Sequence, residues 1–483
     1  MIRRRTITSY VWNSVSGNKM VILSNCIRNF FRKFELLGNS TQGENPAPDN
    51  PQEIKSAGRK SKNLFNIADL RVGQVQKDGT INEKQIYYKT VILDVPQDGK
   101  YRITFAENND YNMIYFTDAY INGVHSNPYV RVRAGNPNHY ITLAKGKNIL
   151  SFSTHAASGS IDFTTDHNIM IAEESETLDY EPYGYLLDVK VTGKNLLNLQ
   201  KQPDVKKIYL GWKVSNGEKI ALSVKDKGNN ADITGCYLGL SRTGGSSDGV
   251  VWVVNNGSVA VKEVVSKNQY VSVFPSNETT VRKLLERFDI QVEYGSNATD
   301  YEPYTEQSMQ IVLNEPLRGV GKYKDVLTKD GVVRKIKRIV FDENTPFKEY
   351  NAPVQVKTTS FISGTAIKDA TGEIGIEVMS DRFKAKDRGF DRYDEECITL
   401  FGKSIFVRFN KDKNINTAEA LTEWLKQNPL TVDYVLAEPV TEPLPESVQD
   451  QLSALHSENG TTHVFVDSGE MEAGINIEYK CKS

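Results

Sequence analysis

An internal repeat constrains this chain more than any other feature. Ile169 to Tyr183 reads IMIAEESETLDYEPY and Ile290 to Tyr304 reads IQVEYGSNATDYEPY; the two align without a gap and end in the same DYEPY. Upstream of each stands a second matched element, KNLFN at Lys62 to Asn66 and KNLLN at Lys194 to Asn198. Each pair brackets a segment of single-domain size, Asn63 to Tyr183 and Asn195 to Tyr304. Two tandem modules follow. A chain of 483 residues has room for them and for about one further unit.

Inside the modules the pattern is β. Tyr101 to Phe105 alternates apolar and polar residues and follows the run Ile86 to Val95 through Pro96-Gln97-Asp98-Gly99, which predicts a hairpin. Short runs at Tyr140 to Leu143, Ile149 to Phe152, Lys219 to Val224, Val250 to Val254 and Tyr270 to Phe274 predict a sandwich of antiparallel sheets in each module. Ile169 with Ile171, and Ile290 with Val292, would face inward from each module's final strand. Within DYEPY, proline fixes its own φ and biases the preceding Glu towards extended backbone. The motif should therefore be a stiff terminal strand on which Tyr180, Tyr183, Tyr301 and Tyr304 cover the sandwich end. One helical stripe, at Thr279 to Glu286, interrupts the second module.

The flanking regions read differently. Phe30, Phe34 and Leu37 fall at helical spacing, so Ile27 to Leu37 is expected to form a short amphipathic helix. Gly38 to Lys62, with Pro46, Pro48 and Pro51, has the composition of an extended linker. Beyond Thr305 the reading is mixed. Gly331 to Phe341 predicts a strand; Asn416-Thr417 caps a helix carrying Leu421, Trp424 and Leu425, which Asn428-Pro429 stops. A second helix should start at Pro445-Glu446 and end at Asn459-Gly460, and Ile475, Ile477 and Tyr479 alternate in a closing strand. The fold class is thus mainly β. The expected plan is an N-terminal helix, arm and linker (1–60), a first sandwich (61–185), a second (190–305) and an α+β or β-rich C-terminal domain (306–483).

Charge and spacing exclude several chemistries. Lys plus Arg number 59 against 61 Asp plus Glu, so no overall basic charge is available for nucleic acid. No segment reaches the ~18 consecutive apolar residues of a membrane span, and no signal-peptide run follows Met1 to Arg5. Cys26, Cys236, Cys397 and Cys481 are far apart, which suggests neither a disulfide framework nor a zinc knuckle. The six histidines lack ligand spacing, so no metal and no cofactor is expected. Asp387, Asp391, Asp394, Glu395 and Glu396 are interleaved with Arg and Lys and read as a solvated, self-neutralising loop. Sugar recognition, by contrast, needs aromatic faces beside amide and carboxylate groups. Tyr111, Tyr115, Tyr120, Tyr129 and Tyr140 stand among Asn108, Asn109, Asp110, Asn112, Asp118 and Asn122. Trp212, Tyr237 and Trp252 stand near Asn216, Arg242 and Asn255. Single aromatics in β proteins ordinarily pack the core, so only the clusters count as candidates.

The tandem KNLFN … DYEPY pattern resembles the jelly-roll modules, similar to carbohydrate-binding modules, of tail-associated proteins from phages and prophages of Gram-positive bacteria. The likeness extends to Gly38 to Gly58, to LNEPLRGVGKYKDVL at Leu313 to Leu327, and to TVDYVLAEPVTEPLP and SALHSENGTTHVFVDSG near the C-terminus. It implies a virion component, made in the bacterial cytoplasm, that adheres to host cell-surface polysaccharide without turnover. Other tail or baseplate proteins would be partners, with the N-terminal arm docking to them. The chain would be a symmetric homo-oligomer, commonly a trimer, gaining through avidity. The alternatives are a purely structural scaffold and a polysaccharide depolymerase with its catalytic pair in residues 305 to 483.

Overall fold

The computed structural model describes residues 2–8, 18–105, 113–133, 139–155, 168–177, 179–199, 208–213, 219–228, 235–241, 249–254, 258–263, 268–275, 280–351, 357–364, 367–371, 377–386 and 394–482. Its architecture is mainly β, in antiparallel sheets. The chain divides into two compact units. One is Arg59–Leu186 with Val312–Pro316; the other is Met1–Gly58, Leu187–Ile311 and Leu317–Ser483.

The N-terminal residues are strands: β1 (Ile2–Thr8), β2 (Asn18–Cys26) and β3 (Lys33–Leu37). The helix expected over Ile27 to Leu37 does not form. Phe34 and Leu36 are buried in β3, whereas Phe30, on the expected helical stripe, is 62% exposed. The segment carries a two-residue alternation as well as the helical spacing. Pairing with neighbouring strands selects the alternation, because tertiary contacts outweigh weak local propensity. Nor is 1–60 a free arm, since β2 and β3 belong to the large sheet described below.

The first module contains β4 (Lys89–Val95), β5 (Gly99–Thr104), β6 (Met113–Ile121), β7 (Val130–Arg133), β8 (His139–Leu143), β9 (Gly146–His155) and β10 (Met170–Glu173). β9 pairs with β4 and β6, and β6 also with β7; in the facing sheet β5 pairs with β8 and β10. Val91, Leu93, Phe116, Leu150 and Phe152 from one sheet meet Tyr101, Ile103, Ile141 and Ile171 from the other. The expected hairpin is therefore corrected: β4 and β5 do not pair. The turn Pro96 to Gly99 carries the chain from one sheet to the other, so that both apolar faces close on a shared core.

After β11 (Tyr185–Thr192) the second module repeats this order with β12 (Ile208–Lys213), β13 (Lys219–Asp226), β14 (Cys236–Ser241), β15 (Gly249–Val254), β16 (Ser258–Glu263), β17 (Asn268–Pro275), a short helix α1 (Val281–Arg287) and β18 (Phe288–Tyr294). β17 pairs with β12 and β14, β14 with β15, and β13 with β16 and β18. Every pairing has its counterpart in the first module. The missing eighth jelly-roll strand is supplied by the upstream motif. Leu64 N donates to Ile171 O, and Leu196 N to Val292 O, both at 2.8 Å.

An asparagine locks that degenerate strand in place. Asn63 Nδ2 donates to Ile169 O and Glu181 O, while its Oδ1 accepts from Phe65 N and Ile171 N. Asn195 makes the same four bonds, to Ile290 O, Glu302 O, Leu197 N and Val292 N. The DYEPY segments form no strand, against expectation. Proline removes a ladder donor, and the segment is tied instead through the carbonyl of its Glu.

Further strands include β19 (Val326–Leu327), β20 (Gly331–Phe341), β21 (Leu430–Pro443), β22 (Gly460–Asp467) and β23 (Gly474–Lys482). The large sheet runs Glu306–Leu313, β11, β22, β2, β23, β3, β19, β20, β21, Val378–Ser380, and β1 also pairs with β23. Helix α2 (Ala418–Gln427) starts at Thr417, whose side chain accepts from Ala420 N, and buries Leu421 and Leu425 against a smaller sheet's core with Phe361 and Phe409. Helix α3 (Glu446–Ala454) stops short of Asn459-Gly460, because His456–Ser457 pairs with Asn29–Phe30.

Candidate functional site

The first aromatic cluster falls on the outward face of the larger sheet of the first module. Along β6, Ile114, Phe116 and Ala119 face the core, and Thr117 is taken up as a bulge between Phe116 and Asp118. That extra residue keeps Tyr115, Asp118 and Tyr120 on the outward face, opposite Ser153, Ser151 and Ile149 of β9. Tyr111 and Asn108 to Asp110 lie outside the described residues, as does Asn112.

Asp118 is only 5% exposed, and most of its partners come from outside β6. Its carboxylate accepts from Gln74 Nε2 at 2.6 Å, Thr117 Oγ1 at 2.7 Å and Asn127 Nδ2 at 2.8 Å, and His125 Nε2 stands 3.5 Å away. Gln74 belongs to a small hairpin, Gln74–Val75 with Ile81–Asn82, and Val75 N donates to Ser151 Oγ at 2.7 Å. At the tip Gly79 has φ +82°, and a Cβ there would meet the Tyr120 ring at 2.7 Å. Tyr120 therefore seats the hairpin. Tyr115 is half-buried beside Arg131, whose guanidinium lies 5.6 Å from its ring centre. Just before β7, Tyr129 is 71% exposed and holds φ 46°, a left-handed backbone that costs a non-glycine residue energy. Tyr115, Asn127, Tyr129 and Arg131 thus form one strip along the β6–β7 edge. Its rings can pack on pyranose C–H faces, and its amide and guanidinium groups can read hydroxyls.

The second cluster is less concentrated. Tyr237 is half-buried on β14. The backbone registers Trp252 of β15 opposite Gly239 on the adjacent β14, and Trp212 of β12 opposite Gln269 of β17, two strands from β14. The side chains of both tryptophans lie outside the described residues, as do Asn216, Arg242 and Asn255. Of the repeat tyrosines, Tyr180, Tyr301 and Tyr304 are half-buried and Tyr183 is 40% exposed. Burial raises the phenol pKa of Tyr183, Tyr301 and Tyr304, and Glu306, which accepts from Tyr304 Oη, raises the last further.

Elsewhere the charges serve the fold. Asp325, fully buried, accepts from Arg318 N, Lys335 N, Ile336 N and Arg334 Nη1, and the equally buried Asp433 accepts Arg338 Nε at 2.7 Å. Arg318 and Asp325 lie in LRGVGKYKD and Asp433 in TVDY, so those phrases encode a buried ion network. In the acidic segment, Asp387 and Asp391 lie outside the described residues; Asp394 accepts from Lys357 N, and burial raises the pKa of Glu396, so the Asp394 to Glu396 end is more than a solvated loop. A shallow pocket of about 330 Å³ lies at the β4–β5 turn, but its Lys100 and Glu174 pair at 2.8 Å and its Gln97 and Glu173 at 2.7 Å. No group of His, Cys, Asp and Glu among the described residues is arranged to hold a metal.

The matched Asn63 and Asn195 were visible in the repeat, although their clamp was not. Tyr129 is legible in the sequence as a member of the first aromatic cluster, whereas Asn127 and Arg131 carry no comparable signal. No family model matches the chain. No curated protein matches it. Among solved structures, infectious bursal virus derived T=1 particles align over 99% of this chain and 78% of that one, at 9% identity and a TM-score of 0.08, which carries no argument.

Proposed function

We propose that this chain is a non-catalytic adhesion component of a phage or prophage tail, and that its first module binds host cell-surface polysaccharide through the Tyr115–Asn127–Tyr129–Arg131 strip. The observation that carries the reading is Tyr129, a large aromatic held in solvent by a strained backbone next to an outward tyrosine and arginine. Strain of this kind persists where the surroundings enforce it, and such residues concentrate at ligand sites. The likeness of KNLFN … DYEPY to tail-associated jelly rolls supports the setting. Other tail proteins and further copies of the chain are the partners on this reading, with repeated weak sites adding through avidity.

The full chain should be tested against a panel of Gram-positive cell-wall and capsular polysaccharides. Tyr129→Ala and Tyr115→Ala should each weaken binding about tenfold, the loss of roughly 1.4 kcal/mol of stacking. Tyr129→Ala should leave thermal stability unchanged. Full retention of binding in the double variant would remove the strip from the proposal, and release of reducing ends would replace adhesion with hydrolysis.

A further inference from the structure

We infer that Cys26 and Cys481 form a disulfide under oxidising conditions, a covalent latch between β2 and β23. The two cysteines are 455 positions apart in sequence, yet they are direct cross-strand partners. Two features of the backbone place them so. β2 pairs with β22 from Asn18 to Leu23 and again at Cys26, with a register shift between them where Asn25 takes a left-handed φ of 54°. That turn brings Cys26 across to β23. Ile27 N then donates to Lys480 O at 3.0 Å, one residue beyond Cys26 and one before Cys481. This makes the cysteines a non-hydrogen-bonded antiparallel pair. Such pairs have Cα atoms about 4.5 Å apart with side chains on the same face, within the ~4.4–6.8 Å that a disulfide bridges.

The surroundings favour this pair over any other. Cys26 is 0% and Cys481 4% exposed, and both are thiols in the structure. Cys236 is buried in the core of the second module, and Cys397 lies on the strand Cys397–Phe401 of a different sheet. Burial pushes the Cys26 thiol up to about 11, so exchange in the folded chain should be slow at neutral pH and faster above it.

With glutathione disulfide as oxidant, one cysteine thiolate attacks a glutathione sulfur and releases the first glutathione thiolate. The second cysteine thiolate attacks the mixed disulfide and releases the other. Two cysteine S–H groups are oxidised, one glutathione S–S bond is reduced to two thiols, and the protons pass to the released thiolates.

The full chain should be held in glutathione redox buffers in two arms, once folded and once during refolding from denaturant, then alkylated under denaturing conditions. The thiol titre should fall from four to two, and peptide mapping should join Cys26 to Cys481. Cys26→Ser and Cys481→Ser should abolish the link while Cys236→Ser and Cys397→Ser keep it, and the oxidised chain should melt at higher temperature. A titre of four in both arms, a stable glutathione adduct, or a link to Cys236 or Cys397 would overturn the assignment.

Discussion

At the scale of single residues, the two asparagine clamps tie each upstream motif to its module's last strand and to the DYEPY segment. Removing four bonds while leaving buried backbone groups unsatisfied should cost about 2 to 4 kcal/mol. Asn63→Ala and Asn195→Ala are each expected to lower the denaturant midpoint, and Asn63→Asp should be no better, because a carboxylate oxygen would face the carbonyls of Ile169 and Glu181. His463 gives a pH signature. Its Nδ1 stands 2.9 Å from Gly193 O and so carries the proton, and burial holds the ring's pKa down at about 4. An unfolded histidine titrates near 6.5, so between those values the unfolded chain binds the extra proton. Stability should therefore be fully present above about pH 6.5 and decline by up to about 3 kcal/mol as pH falls to 4. Measured unfolding free energies that stay flat across that window, or a slope that His463→Gln leaves unchanged, would contradict this.

At the scale of elements, the hairpin of Gln74–Val75 and Ile81–Asn82 depends on Asp118 and on the seat that Tyr120 offers Gly79. Asp118→Ala should raise hydrogen exchange across residues 74 to 82 while the sandwich stays folded; unchanged protection would show the hairpin stands alone. Elements of this kind were only partly legible in the sequence. β20 has the bounds predicted from its apolar run, Gly331 to Phe341, and α2 its Thr417 cap and Leu421–Leu425 stripe, because both patterns are local. Two expectations failed where the deciding partner was remote. Phe30, Phe34 and Leu37 fit a helix, and only the β3 pairings selected the strand. Pro96 to Gly99 marked a turn, but turn chemistry does not say whether the strands it joins share a sheet. For the site, the sequence offered outward-capable tyrosines without the bulge at Thr117 that aims Tyr115 and Tyr120, or the backbone strain that exposes Tyr129.

At the scale of the molecule, the repeat was the most legible property, and the structure extends it from matched words to matched strand order. The N-terminal segment was the least legible. Because β2 pairs along β22 and β3 along β23, deletion of residues 1–37 should abolish cooperative unfolding of the larger unit, whereas a dispensable docking arm would leave it intact. The same arrangement dictates an order of maturation during synthesis. Arg59–Leu186 can begin to close once it has left the ribosome, while β2 must wait for β22 and β23, roughly 300 residues later, which at ~5–20 residues per second is about 15 to 60 s. For that interval the nascent chain carries an apolar strand, β2, with neither of its sheet partners made, which makes it a client for chaperones.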